Sequence, residues 1–355
     1  MTQARWQALW LLHSQRRGWL ARLLWPVSLI YGALIAVRRV LYQLGLKQSR
    51  HVSVPVVVIG NVVVGGAGKT PTVLSVVNHL LARGWRPGVV SRGHGRQSRQ
   101  VVHVGPDTER SDSGDEPALI HLRTQVPVCV TANRLAAARA LLAAHPEVDI
   151  IVCDDGLQHL ALHRDLQIIV FDDRGTGNNW LLPAGLLREP WPPNARTRST
   201  DLVLHQRRED APGSALARSP GTPVFGAVRR LADHAVGPTG EQLPLDQLRG
   251  QRLTAVAGTA RPGVFFDMLR ARGIEPTVEV GLPDHAALSD YAALMQDSST
   301  TLLCTEKDAV KLFPTLIDSP VGRHPQVWAI PLEMTPDPAF FTTLDERLKP
   351  LKRRA

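Results

Sequence analysis

A seven-residue apolar run, VPVVVIG at 54–60, leads directly into NVVVGGAGKTP and then into TVLSVVNHLLARG. A β-branched run with no polar interruption is the pattern of a parallel strand buried on both faces. The segment after the glycines has the length and apolar spacing of a helix ending at Gly84. Strand, Gly-rich loop, Lys-Thr and helix together form a P-loop arrangement. Gly65, Gly66 and Gly68 let backbone N–H groups approach phosphate oxygens, and Val63, Val64 and Ala67 complete the loop. Lys69 reaches the β/γ oxygens of ATP, and the Thr70 hydroxyl is placed to ligate Mg²⁺. The strict P-loop pattern has Gly where this chain has Val63.

A P-loop needs an acidic partner at the end of an apolar strand, and DIIVCDDG at 149–156 provides Asp154 and Asp155. One of the two is expected to hold Mg²⁺. Further strands are read in PGVVSRG, QVVHVG, VPVCV, LQIIVFDD and TDLVLHQ, with helices over EPALIHLRTQ and TANRLAAARALLAAH. This alternation predicts an α/β fold: a P-loop NTPase-type, doubly wound, mostly parallel sheet with its ligand at the strand C-termini. The HRDL at 163–166 lacks the Asn of a protein-kinase catalytic loop, since position 170 is Val, and is read as structural. Asp154 is followed three positions later by Leu157 where a GTPase has the Gly of DxxG, and in TEKD at 305–308 Lys307 directly precedes Asp308, unlike NKxD, which favours ATP over GTP.

The charge is uneven. Fourteen Lys and Arg precede Asp107, the first acidic residue, and eight of them lie in the first fifty positions. That asymmetry calls for an anionic partner: nucleic acid, a phospholipid surface or a phosphorylated substrate. Trp6, Trp10 and Trp19 are interleaved with Arg5, Arg16, Arg17 and Arg22 ahead of the uncharged stretch LLWPVSLIYGALIAV, which itself holds Trp25. The stretch is shorter than the roughly 20 residues of a membrane span, and Pro26 is expected to kink it. A helix lying in the headgroup region of an anionic leaflet fits better. No small-residue cleavage site follows, so it does not read as a cleaved signal peptide. Cys129, Cys153 and Cys304 sit in or beside apolar runs without a CxxC pair, and read as buried thiols in a reducing compartment.

Taken together, the basic Trp-bearing N-terminus, GNVVVGGAGKTP, SRGHGR, SGDEP, DDGLQH, GNNWLLPAGLLREP, AGTARPGVFF, LPDHAALS and TEKDAVKL resemble the tetraacyldisaccharide 4′-kinases, the lipid A 4′-kinases of Gram-negative bacteria. The resemblance extends from about residue 6 to about 345, and that family also lacks the first P-loop glycine. It implies transfer of the ATP γ-phosphate to the 4′-hydroxyl of tetraacyldisaccharide 1-phosphate, giving lipid IVA in lipid A biosynthesis. The implied partners are an anionic glycolipid and the cytoplasmic leaflet of the inner membrane, with no nucleic acid and a monomeric, peripheral or monotopic protein. Carried over by motif, Asp115 and His285 would activate the hydroxyl, and Asp154, Asp155 and His159 would line the metal and γ-phosphate. Arg188 and Glu189 would support the site, together with Arg92 and Arg134. His94 stands where SRGYGR has a tyrosine that resembles a nucleoside contact.

From the residues alone, Asp115 reads first as a helix N-cap, Asp284 likewise as another, and Arg188-Glu189 equally as a local ion pair. Lys307 and Asp308 read as a cap and a pair at a helix start, outside the site. The expected organisation is a membrane-associated helical segment at 1–50, a P-loop core at 51–205 and a smaller α/β domain at 206–355 facing the cleft. The Pro/Gly/Ser-rich QRREDAPGSALARSPGTP would be the linker. In the smaller domain RLTAVAG, TVEVGL, STTLLCT and QVWAIPL are expected as strands, with helices near 261–272, 286–295 and 337–348. Rival readings are another P-loop small-molecule kinase, a metal-insertion NTPase, or a membrane-tethered P-loop switch.

Overall fold

The computed structural model describes residues 14–66, 68–96, 98–192, 201–208, 221–317 and 324–352. Arg5, Trp6, Trp10 and Ala67 therefore lie outside the described residues, as does most of the expected linker. Helix α1 (Trp19–Gln43) precedes the first unit. That unit runs β1 (Val56–Gly60), α2 (Lys69–Ala82), β2 (Pro87–Ser91), β3 (Val102–Val104), α3 (Asp115–Thr124), β4 (Val128–Val130), α4 (Arg134–Ala144), β5 (Ile150–Asp154), β6 (Leu166–Phe171), β7 (Asp201–Arg208) and β8 (Val224–Leu231). The second unit follows with β9 (His234–Val236), β10 (Gln242–Pro244), β11 (Leu253–Ala257), α5 (Pro262–Ala271), β12 (Val278–Gly281), β13 (Thr301–Thr305), α6 (Glu306–Ile317) and β14 (Gln326–Ile330). The chain then returns to the first sheet through β15 (Leu332–Pro336) and α7 (Pro338–Lys352).

The first sheet has the order β15-β8-β7-β6-β1-β5-β2-β4-β3, parallel except for the edge strands β15 and β3. The apolar run at 56–60 is continuous because both its faces are covered. Val57 and Ile59 pack with Val73, Val76 and Leu80 of α2, while Val56 and Val58 face Ala137 and Leu141 of α4. Register pairs Ile59 with Asp154, so the P-loop and the acidic pair leave the sheet at one level. The second sheet, β10-β9-β14-β13-β11-β12, is sandwiched in the same way: Phe265, Phe266 and Leu269 of α5 cover one face, Leu312 and Leu316 of α6 the other.

Three expectations change. Sheet membership divides the 206–355 unit, because β7 runs on to Arg208 and β8, β15 and α7 complete the first lobe. The helix expected near 286–295 is two short 3₁₀ turns, Leu288–Tyr291 and Leu294–Gln296. Here Asp290 accepts from the N–H of Ala287, and the fully buried Tyr291 reaches Asp308, which pulls the segment tight. The apolar N-terminal segment is longer than its fifteen uncharged residues: α1 has 25 and continues through Pro26. At about 1.5 Å per residue it is roughly 37 Å long, and by length and composition it could cross a membrane. Only Ala21 and Ser28 of it are buried, whereas Trp19 is 73%, Leu23 67% and Leu34 65% exposed.

Candidate active site

The P-loop is pinned from both sides. Val63 is wholly buried and bridges Leu187, the N–H of Val64 donates to the Leu186 carbonyl at 2.9 Å, and that of Arg188 to Val62 at 2.7 Å. A glycine at 63 would leave that core contact empty, which accounts for the valine. The same bonding takes the N–H of Val64 out of the expected phosphate donors. Gly65 and Gly68 have φ of 91° and 72°, the left-handed conformation in which glycine alone is unstrained. Behind Gly68 lies the buried Gln206 of β7, whose Nε2 donates to the Gly68 carbonyl and to Thr72 Oγ1, both at 2.7 Å. Arg174 Nη1 donates to the Val64 carbonyl at 3.1 Å and is held in turn by the buried Asp172. Lys69 and Thr70 open α2, and Lys69 Nζ lies 3.4 Å from Asn61 Oδ1 and 3.7 Å from Asp155 Oδ1.

Asp154 and Asp155 are adjacent but unlike. Asp154 ends β5, is almost fully buried, and accepts from Ser91 Oγ at 3.0 Å through one oxygen; Oδ1 is buried with no hydrogen-bond partner among the described residues. Burial, and then the charges of Glu116 and Asp155, push its carboxyl up to about 7. Asp155, at φ 46°, turns to Arg188 Nη1 at 3.1 Å. Burial opposes its ionisation, but Lys69 and Arg188 outweigh it and hold the carboxyl below the ordinary range. Arg134 supports the same turn by donating to the Asp155 carbonyl. Arg188 and Glu189 do not pair with each other: Arg188 also holds Asn61, while Glu189 pairs with Arg39 of α1. His159 is half-buried, and burial followed by the charges of Arg134, Arg164 and Arg38 lowers its imidazole to about 4, so it is neutral near pH 7. Arg92, just past β2, is exposed, and no hydrogen bond or ion pair among the described residues joins its guanidinium to this group.

The second lobe supplies the opposite wall. His285 Nδ1 lies 3.2 Å from Asp115 Oδ2, joining residues 170 positions apart. Asp115 is the first residue of α3 and Gly114 the N-cap, so its side chain is free to cross the cleft and does not cap its own helix. Lys311 Nζ meets the same oxygen at 2.9 Å. Burial favours the neutral acid, but the hydrogen bonds from His285 and Lys311 outweigh it and hold Asp115 below the usual carboxylate range. Asp284 pairs with Lys307 Nζ at 2.7 Å and caps no helix. Lys307, read from sequence as outside the site, stands within it, beside Glu116 and His285. Asp308 does serve its fold, accepting from the Gly258 N–H, Tyr291 Oη and Thr305 Oγ1. The His94 ring lies 4.5 Å from that of His285. Arg261 ties the lobes together, its two Nη atoms 2.7 and 3.0 Å from the Asp173 carboxylate.

Between the lobes is a cavity. Gly66, Gly68, Lys69 and Thr70 line one side, Asp284 and Lys307 another, and Leu74, Leu231, Val264, Phe265, Met268 and Ile330 give it an apolar wall. Gln206, Asn61, Arg174 and Arg261 escaped the sequence reading. Asn61 and Arg261 carried a signal, as parts of GNVVVGGAGKTP and AGTARPGVFF.

A glycine-rich turn between a central parallel strand and a helix, an acidic pair on the neighbouring strand and a second lobe closing over them define a P-loop phosphotransferase. The profile of the tetraacyldisaccharide-1-P 4′-kinases matches residues 20–349, and the chain belongs to that family. Curated relatives named tetraacyldisaccharide 4′-kinase include one from Acidovorax sp. (strain JS42), 53% identical over 95% of this chain and 93% of its own length. Another, from Polaromonas naphthalenivorans (strain CJ2), is 51% identical over 94% and 93%. A crystal structure of LpxK from Aquifex aeolicus in complex with ATP superposes with a TM-score of 0.75, 28% identity, and coverage of 94% of this chain and 99% of that one.

Proposed function

We propose that this kinase transfers the γ-phosphoryl group of ATP to the 4′-hydroxyl of tetraacyldisaccharide 1-phosphate, forming lipid IVA at the cytoplasmic face of the inner membrane. The observation that carries the reading is the Asp115–His285 pair, assembled from two lobes opposite the P-loop. With Nδ1–H donated to Asp115, His285 keeps a lone pair on Nε2, which accepts the proton of the attacking hydroxyl. Asp115 stays ionised and stabilises the imidazolium that results. Gly65, Gly66 and Gly68 with Lys69 hold the phosphates, and Arg188 and Asp155 fix the Lys69 side of the loop.

The residues fit Mg²⁺. Asp154 has a buried oxygen lacking a partner, Thr70 offers a hydroxyl, and no group of three or more His, Cys, Asp or Glu is gathered among the described residues. Mg²⁺ characteristically uses one or two carboxylates and completes its shell with substrate phosphates and water, not an all-protein cage. Thr70 and Asp154 would hold it, with Asp155 beside them, and when bound it would neutralise charge on the β- and γ-oxygens. For the acceptor, α1 is the membrane element: its apolar face is exposed, while Ser28 and Tyr31 bind the 181–188 loop that packs on the P-loop. Docking on the lipid surface therefore places the acceptor next to the cleft.

The test is label transfer from γ-³²P-ATP to tetraacyldisaccharide 1-phosphate in detergent micelles, with Lys69→Ala beside it. A labelled lipid that depends on Lys69 is expected; an ATP-binding, folded protein that labels no lipid would remove the acceptor assignment.

A further inference from the structure

We propose that Lys307, in the first turn of α6, is a γ-phosphate ligand, and that its move from His285 to the nucleotide frees the base only when ATP is present. The inference rests on the ATP site proposed above. The Lys307 side chain is 14% exposed, and its Nζ lies 2.7 Å from Asp284 Oδ1, 3.7 Å from Glu116 Oε1 and 3.5 Å from His285 Nε2. An ammonium donates and never accepts. Since Nδ1 of His285 faces Asp115, Lys307 is directed at the lone pair that must take the hydroxyl proton. While that contact stands, the base is occupied.

Lys307 shares its cavity with Gly66, Gly68, Lys69 and Thr70. A γ-phosphate seated on those residues puts doubly charged oxygens in the same space, and a four-carbon stem can swing an ammonium to meet them. Burial works against the charge on Lys307, but Glu116 and Asp284 outweigh it and keep the group protonated. Lys311, one helical turn on, differs. Its Nζ is held at 2.9 Å by Asp115 and at 2.7 Å by the Ala286 carbonyl, so it braces the pair and does not border the cavity. Lys307 thus links two events: it neutralises charge on the γ-phosphoryl group being transferred, and in doing so it vacates Nε2.

The experiment compares ATP and ADP dissociation constants, by competition with a fluorescent nucleotide, in wild type, Lys307→Gln and Lys307→Arg. Glutamine keeps a donor for Asp284, and a thermal melt confirms the fold; arginine keeps the charge. A charge-assisted bond to the γ-phosphate corresponds to about 10- to 100-fold in affinity. Lys307→Gln is expected to weaken ATP by that factor and ADP by less than about twofold, while Lys307→Arg retains a preference for ATP. An ATP:ADP ratio unchanged in a folded Lys307→Gln protein, or equal weakening of both nucleotides, overturns the inference. Loss of the ATP preference in a protein whose wild type labels no lipid keeps Lys307 as the phosphate ligand and removes only the acceptor assignment.

Discussion

Gly68→Ala should damage the protein through one identifiable neighbour. At φ 72° an L-residue costs about 1 kcal/mol relative to glycine. The added Cβ would also lie 1.9 Å from Gln206 Oε1, an impossible approach, so Gln206 must move. Gln206 is fully buried, and moving it forfeits two 2.7 Å hydrogen bonds, to the Gly68 carbonyl and to Thr72 Oγ1. At about 1 kcal/mol each, these bring the total to about 3 kcal/mol. In a Gln206→Ala background both bonds are already gone and the overlap is absent, so only the backbone cost of about 1 kcal/mol remains. A double-mutant cycle, read from urea unfolding by tryptophan fluorescence, should therefore show a coupling of about 2 kcal/mol. If the two substitutions add to within about 0.5 kcal/mol, Gln206 is not what the Gly68 turn is built against.

The lobe-bridging pair carries a pH signature. The Asp173 carboxyl is held at about 2 against an ordinary 3.8, chiefly by its hydrogen bonds to Arg261, a gap worth at most about 2 kcal/mol given its partial exposure. Because the folded value is the lower one, this stability is present above about 3.8 and is lost as pH falls through about 2. Arg261→Met should cost up to that amount at pH 7, and the difference from wild type should narrow between about pH 4 and about pH 2 in denaturation series; a constant difference would assign the loss to packing. On α1, the triple substitution Leu23→Glu, Ile30→Glu and Leu34→Glu should abolish cosedimentation with anionic vesicles while leaving turnover in detergent within about twofold. Undiminished cosedimentation would take the membrane role away from that face.

The parts of the fold legible from sequence are those whose physics is local. Continuous apolar runs gave the strands buried on both faces, and β1 with its glycines and Lys69 announced the phosphate site. Asp154 and Asp155 were legible because they follow directly on such a run. What escaped depends on distant partners. Strand β8 carries Arg229 and Arg230 and β15 carries Glu333, so neither shows a clean apolar run, and the return of the chain to the first sheet went unseen. Gln206 looked like the start of a linker because charged residues follow it, although it is itself fully buried. Asp115 and His285 became candidates only through family resemblance, since an acid at a helix start and a lone histidine have ordinary uses. Lys307 was passed over for the same reason: its partners come from Glu116 on α3 and Asp284 in a loop, which only the folded cleft brings together.

The central claim is that the pair formed across the cleft performs proton transfer and not nucleotide binding. Single-turnover transfer from prebound γ-³²P-ATP to the disaccharide lipid, measured in wild type and His285→Ala together with their ATP dissociation constants, tests it most directly. The account expects ATP affinity within about twofold of wild type and transfer slower by about 10²- to 10⁴-fold. Wild-type transfer in His285→Ala, or a loss explained wholly by weaker ATP binding, would contradict it.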